Sequence, residues 1–379
     1  MPEVFNVKIQ KCDTEKAMND FIAFPRKLYK GDGKYVHDID VDVRNFFDPK
    51  KNRALVDADV QPFVAYCNGQ CVGRVAALIS NKSNEKWGKK NVRFTYLDFI
   101  DDLNVSRALL DAVADYGREH GMDTVEGPMG IADFDKEGML VEDFDQPGNI
   151  MEFWNYPYYV EHMEELGFEK SVDWLQFQFD VPEVVPARYA RVAQYAREEF
   201  HLKVRKISKY QALHGYGLKI FHLFNEAFAP LYGTSLYTDE QAMDYLKSYV
   251  PMLDMDIVPM VENEKGELVA CAVTIADPSD GVRKAQGRLF PFGWWHILKS
   301  LTWGKSNKAQ LMMIAVRPDM QGLGVNALIF DDLIPIYHKK GITWCETNPQ
   351  LEDNMKELSQ WKPLNPRTVK RRRCWIRKI

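Results

Sequence analysis

Between residues 309 and 340 the chain carries residue types whose order suits phosphate binding. The apolar run Gln310-Leu311-Met312-Met313-Ile314-Ala315-Val316 has the pattern of a strand buried on both faces. Arg317-Pro318-Asp319-Met320 breaks it, and Gln321-Gly322-Leu323-Gly324-Val325-Asn326 follows. Beyond it, Ala327, Leu328, Ile329, Leu333, Ile334 and Tyr337 recur at helical spacing up to Lys339-Lys340-Gly341. A strand feeding a glycine turn into a helix start aims free backbone N–H groups, and the positive end of the helix dipole, at one point. The chemistry expected there is the binding of a phosphorylated ligand.

Three other stretches carry unusual chemistry. Residues 288–305 hold Phe290, Phe292, Trp294, Trp295 and Trp303 between Arg288, Lys299 and Lys305. The stretch is too short and interrupted to span a bilayer. Aromatic residues with cations at the ends are the pattern of an interfacial segment, a lip touching a membrane or a long acyl chain. The alternative is a segment packed as core between two lobes. Residues 127–148 form a long loop in which Asp133, Asp135, Glu137, Glu142, Asp143 and Asp145 alternate with Met129, Phe134, Met139, Leu140 and Phe144. It reads as an amine-recognition loop or as a solvated surface loop. The basic run Lys370-Arg371-Arg372-Arg373 near the C-terminus reads as a solvated edge strand, or as a surface for tRNA, an anionic lipid or a ligand's phosphates.

A chain of 379 residues is long for one core, so two domains are expected. The net charge of −5 gives no general affinity for nucleic acid, and no nucleic-acid partner is expected. No run of 18 apolar residues occurs, and the N-terminal residues lack a signal-peptide pattern. Six scattered cysteines and eight histidines show no metal-ligand spacing. A reduced cytoplasmic protein without structural metal is expected, with peripheral membrane contact if the aromatic stretch serves as a lip.

The elements that must position these residues recur in one order. Residues 4–9 read as a strand and 14–29 as a capped helix. Residues 60–66 and 72–80 form a hairpin across Asn68-Gly69. Residues 92–99 make a strand, 105–120 a helix ended by Gly121, 124–126 a strand, 158–166 a short helix and 174–179 a final strand. Pro182 to Pro186 reads as a linker. The second half then gives a hairpin (257–262 and 268–276), the strand–turn–helix described first, a strand at 343–347, a short helix from Leu351 and a strand at 371–376. An internal duplication is the economical account. The expected class is α+β with mixed sheets, divided at residues 1–181 and 182–379.

This order resembles the GNAT (Gcn5-related N-acetyltransferase) fold, and Val316-Arg317-Pro318-Asp319-Met320-Gln321-Gly322-Leu323-Gly324-Val325-Asn326 is similar to that family's V-x-P-x-x-R/Q-x-x-G-x-G/A segment. Val316, Pro318, Gln321 and Gly324 match, whereas Asn326 stands where the family has glycine or alanine. The resemblance implies a tandem GNAT protein with a degenerate first lobe, since Asp98, Asp101 and Asp102 stand where that lobe would hold phosphate. It implies acyl transfer from acyl-coenzyme A, as acetyl-CoA or longer, to an amine. Val316, Gln321, Gly322, Leu323, Gly324, Val325, Asn326 and Asn354 would bind the cofactor. A bulge at Ala315-Val316 would offer an N–H to the thioester carbonyl, and Glu346 would take the amine's proton, with Glu352 and Asp353 as weaker candidates. Trp361 falls where the family places a tyrosine acid.

The whole layout is similar to two-lobed GNAT-like proteins that include bacterial ceramide-synthase-like N-acyltransferases, through Phe24-Pro25, Leu28-Tyr29, Gly127-Pro128-Met129, Gly138-Met139-Leu140-Val141-Glu142 and Gly287-Arg288-Leu289-Phe290-Pro291-Phe292-Gly293. That likeness implies a long-chain or lipid amine as acceptor. Asn326 and Trp361 motivate the alternative of a non-catalytic module that binds CoA or a protein partner. Peptidoglycan-type aminoacyl transferases also pair two such lobes, but they usually carry a helical arm, for which this sequence offers no segment.

Overall fold

The computed structural model describes residues 6–132, 134–303 and 306–379; Val4, Asp133, Gly304 and Lys305 lie outside them. Two compact units share the chain. Met1–Trp174, Ser279–Ile297 and Lys370–Ile379 form the first, Leu175–Pro278 and Leu298–Val369 the second. The division falls inside a strand rather than at Pro182 to Pro186, and two later stretches return to the first unit.

In the first unit β1 (Lys8–Lys11), β2 (Ala58–Cys67), β3 (Gln70–Ser80), β4 (Asn91–Phe99) and β5 (Thr124–Gly127) lie side by side in that order. β1 to β4 are antiparallel, and β5 runs parallel to β4 because the helix Leu103–Glu119 carries the chain back between them. Asn68 and Gly69 both take positive φ (48° and 76°), and the turn sets Cys67 opposite Gln70. Alternation then sorts the side chains. Phe63, Ala65, Val75 and Ala77 pack in one cluster with Val105, Leu109 and Val113 of that helix. The intervening Val64 and Ala76 pack with Ala17, Phe21 and Ile22 of the helix Glu15–Leu28. Both faces of β3 are therefore covered, which explains its almost continuous apolar sequence. β6 (Met139–Glu142) and β5 both pair antiparallel with the C-terminal strand Arg367–Lys378.

β7 (Glu169–Asp180) leaves the first unit at Trp174 and continues into the second. There the order is β7, β12 (Trp344–Thr347), β11 (Lys308–Val316), β10 (Leu268–Ala276), β9 (Met260–Glu262) and β8 (Lys203–Arg205). β10 and β11 are antiparallel, whereas β11 and β12 are parallel and joined by the helix Val325–Lys340. The short β13 (Gln350–Leu351) pairs with β7, and the C-terminal strand is β14. The two units share a hairpin–strand–helix–strand plan, but their last strands are exchanged. β7, expected to close the first lobe, sets Phe179 beside Cys345 of β12, and β14 sets Trp375 beside Gly127 of β5. The second core gathers Tyr189, Ala193 and Ala196 from the helix Ala187–Glu199 with Leu328, Phe330 and Leu333.

Candidate functional site

The glycine turn lies in the second unit and has the conformation its sequence requires. Pro318–Met320 forms one 3-10 turn, Gln321 is extended, and Gly322 and Gly324 take φ of 80° and 81°. That is the left-handed region, where a side chain is costly. A Cβ on Gly322 would meet nothing within 4 Å, so the turn is open on that side. A Cβ on Gly324 would lie 2.2 Å from Val192 Cγ1, so this glycine also lets two helices approach. Gly324 is the N-cap of Val325–Lys340 and offers no side-chain acceptor. A helix start without a capping side chain leaves its first amides to be satisfied from outside.

The neighbouring side chains leave the turn clear. Gln321 donates from Nε2 to the Val316 carbonyl at 3.1 Å, and Leu323 is exposed. Val325 is buried in the core. Asn326 Nδ2 donates to Gln360 Oε1 at 2.6 Å, so the residue that departs from the family motif ties the helix start to the helix Met355–Ser359. Arg317, the cation next to the turn, is held by Asp319 at 2.7 Å and Glu267 at 3.4 Å. An anion here would be met by amides and the helix dipole rather than by a free guanidinium.

Beside the turn the sheet opens. The β11–β12 ladder ends at Leu311–Thr347, where Asn348 N–H donates to the Leu311 carbonyl at 3.1 Å and Nδ2 to the Met312 carbonyl at 2.7 Å. On the other side of β11, Leu311 pairs with Thr274 and Met313 with Val273, which leaves Met312 as the extra residue of a β-bulge. The bulge is therefore at Met312. Ala315 and Val316, expected to form it, stay in register with Cys271 and Ala270. Three to four residues of strand separate the two places, and the unbroken apolar run marks neither.

The expected base is engaged elsewhere. Glu346 is buried, with Lys308 Nζ 2.9 Å and Gln178 Nε2 3.0 Å from Oε2, and Lys308 also meets Asp277 at 3.0 Å. Burial alone would lower the Lys308 pKa, but the two carboxylates outweigh it and raise it. Removing one member of such a buried group would leave a charge uncompensated. Asn354 caps the helix Met355–Ser359, accepting from Glu357 N–H at 3.3 Å. Trp361 is core: it stacks with Phe179 and donates to Gln350 Oε1 at 2.8 Å.

The carboxylate that sequence reasoning missed is Glu357. Burial pushes its pKa up to about 7, and the Gln360 side chain partly offsets the rise. A carboxylate with a pKa near 7 is suited to accept a proton at neutral pH. A signal was present, since Glu357 lies three residues after a capping Asn, but in sequence it is one acid among several.

The first unit treats the equivalent turn differently. Asp98 accepts from Arg74 Nε at 2.7 Å and from Tyr29 at 2.8 Å, Asp102 caps Leu103–Glu119, and Asp101 lies 3.1 Å from His162. His162 also meets Ser106 Oγ at 2.9 Å, but Ser106 is fully buried and donates to the Leu103 carbonyl, so this Ser–His–Asp chain offers no accessible nucleophile. Two carboxylates of the acidic loop are occupied: Asp135 accepts from Ile131 and Ala132 amides, and Glu142 pairs with Arg371. The basic run is neither solvated nor at an edge. Lys370 and Arg372 are buried on Glu152 at 2.6 and 2.9 Å, and Arg371 and Arg373 reach Asp173 on the opposite face. Among the described residues no group of three or more His, Cys, Asp or Glu could hold a metal ion.

This arrangement, built twice, is the tandem GNAT fold. A tandem GNAT protein from the clavulanic acid biosynthesis pathway superposes with a TM-score of 0.56 over 98% of this chain and 98% of its own, at 12% identity. In sequence the chain is 26% identical to Protein YghO of Escherichia coli K12, over 95% of this chain and 92% of that protein. It is 23% identical to the bacterial ceramide synthase of Caulobacter vibrioides, over 81% of this chain and 80% of that protein. A scan against described protein families finds no match.

Proposed function

We propose that the protein is an acyltransferase that takes an acyl group from acyl-coenzyme A and passes it to a primary amine, with a long-chain or lipid amine as acceptor. The observation that carries this reading is the uncapped helix start at Gly324, beside the gap where β12 departs from β11. The open side of Gly322 supports a pyrophosphate lying against the amides of residues 322–326. The thioester supplies an activated carbonyl. The amine nitrogen bonds to that carbon, the carbon–sulfur bond breaks, and the thiolate leaves and is protonated by solvent. The bulge at Met312 interrupts the β10–β11 ladder, and a backbone N–H turned out of the ladder there would polarise the carbonyl oxygen. Glu357 takes the proton released by the amine. The relative named as a ceramide synthase supports the lipid acceptor.

A screen of acetyl- to palmitoyl-CoA tests the reading, with thermal shift and thiol release followed with and without long-chain amines. Acyl-CoA is expected to raise Tm, and thiol release to require the amine. No shift at any chain length overturns it. A shift without amine-dependent release selects a non-catalytic CoA-binding module, which the ion-paired Glu346 and buried Trp361 would then explain.

A further inference from the structure

The tip of the segment 287–295, within the first unit, exposes apolar surface of a kind that folding normally hides. Phe290 is 80% exposed, Phe292 70%, Trp294 44% and Trp295 43%. These rings project from a loop that is fixed. The Gly287 carbonyl accepts from Asp40 N–H at 2.9 Å, and a Cβ on Gly287 would lie 2.2 Å from the Asp38 carbonyl oxygen. At the other end, a Cβ on Gly293 would lie 1.6 Å from the Arg288 carbonyl oxygen. Trp294 N–H donates to Leu289 at 2.8 Å, and Trp294 Nε1 to Pro291 at 3.2 Å. A loop held this way does not fold its aromatic rings inward.

Charge identifies what covers it. The chain carries a net charge of −5, yet no acidic residue occurs between Asp280 and Asp319. Lys284 and Arg288 precede the tip, both exposed. Exposed phenylalanine and tryptophan next in sequence to exposed cations, without an acid among them, match what a bilayer surface takes, where rings enter the headgroup boundary and cations meet anionic phosphates. We infer that Phe290, Phe292, Trp294 and Trp295 dock the protein on an anionic phospholipid bilayer, with Lys284 and Arg288 supplying the attraction. Docking needs no acyl-CoA, so it stands or falls apart from the proposed catalysis.

Vesicle flotation tests this. The protein is expected to float with phosphatidylglycerol-containing vesicles, less so with phosphatidylcholine alone, and less as salt rises. F290S/F292S should weaken partitioning by about tenfold per side chain, and K284A/R288A by roughly fivefold per charge on anionic vesicles only. Retention of the ordinary unfolding transition in these surface variants shows that they fold. Wild-type protein that stays unbound with both vesicle types, or variants that bind as wild type does, overturns the proposal. A concentration-dependent dimer abolished by F290S/F292S, without vesicle binding, assigns the tip to a second copy of the chain instead.

Discussion

The two strand-to-helix turns show how one topology yields either a closed or an open helix start. In the first unit β4 ends at Asp98 and Phe99, and Asp102 caps the following helix by accepting from Asn104 N–H at 2.8 Å. In the second, β11 ends at Val316 and the helix begins at Gly324 with no capping side chain. A carboxylate at the N-cap satisfies an amide and neutralises the dipole from within. Glycine does neither and leaves the helix start without a side-chain partner. Asp98 adds a second difference. It is the cross-strand partner of Arg74, so the first unit keeps a buried ion pair at the level where the second keeps an open turn.

Four substitutions break or sharpen this contrast. The largest effect is expected from Arg74→Met, which strands Asp98 without its cation and should cost about 3–5 kcal/mol. Chemical denaturation measures it, and an acyl-CoA-induced Tm shift should persist, because that site lies in the second unit. Glu357→Gln should lower the rate of amine-dependent thiol release by about 10²–10⁴-fold. In the wild type kcat/KM should rise with pH through about 7 as Glu357 loses its proton, and this limb should vanish in the variant. An unchanged limb assigns the base elsewhere. Leu323→Asp copies the first unit's chemistry onto the open turn and should remove most of the stabilisation by CoA, about 2.7 kcal/mol at a concentration of 100 Kd. Leu323 is exposed, so the apo protein should keep its own Tm. Asp102→Ala, the smallest, should cost about 1 kcal/mol through the lost cap. CoA binding gained by the first unit in that variant would show that the cap alone had closed it.

Much of this was legible in residue order. The Asn68-Gly69 hairpin, the helix from 105, the glycine turn and the repeat of plan follow from local pattern, because turn torsions and apolar periodicity are properties of neighbouring residues. The helices Asp40–Phe46 and Asn81–Trp87 were missed, being short and mostly polar. The bulge was misplaced because Met312-Met313-Ile314-Ala315 is apolar throughout, and a register shift depends on the partner strand. The polar character of 370–373 suggested a solvated edge, whereas the structure buries two of the four side chains.

The sequence by itself determined the α+β class, the duplication and the glycine turn before the second unit's helix, since glycine takes the torsions of Gly322 and Gly324 without strain. The tertiary structure decided which strand closes which unit, which carboxylates are free and which are paired. Lys370 meets Glu152 across 218 residues of chain, and Gln178 meets Glu346 across 168. No local pattern encodes such partners. A buried charge is stable only beside its counter-ion, so the fold that brings them together also decides which acids remain for chemistry.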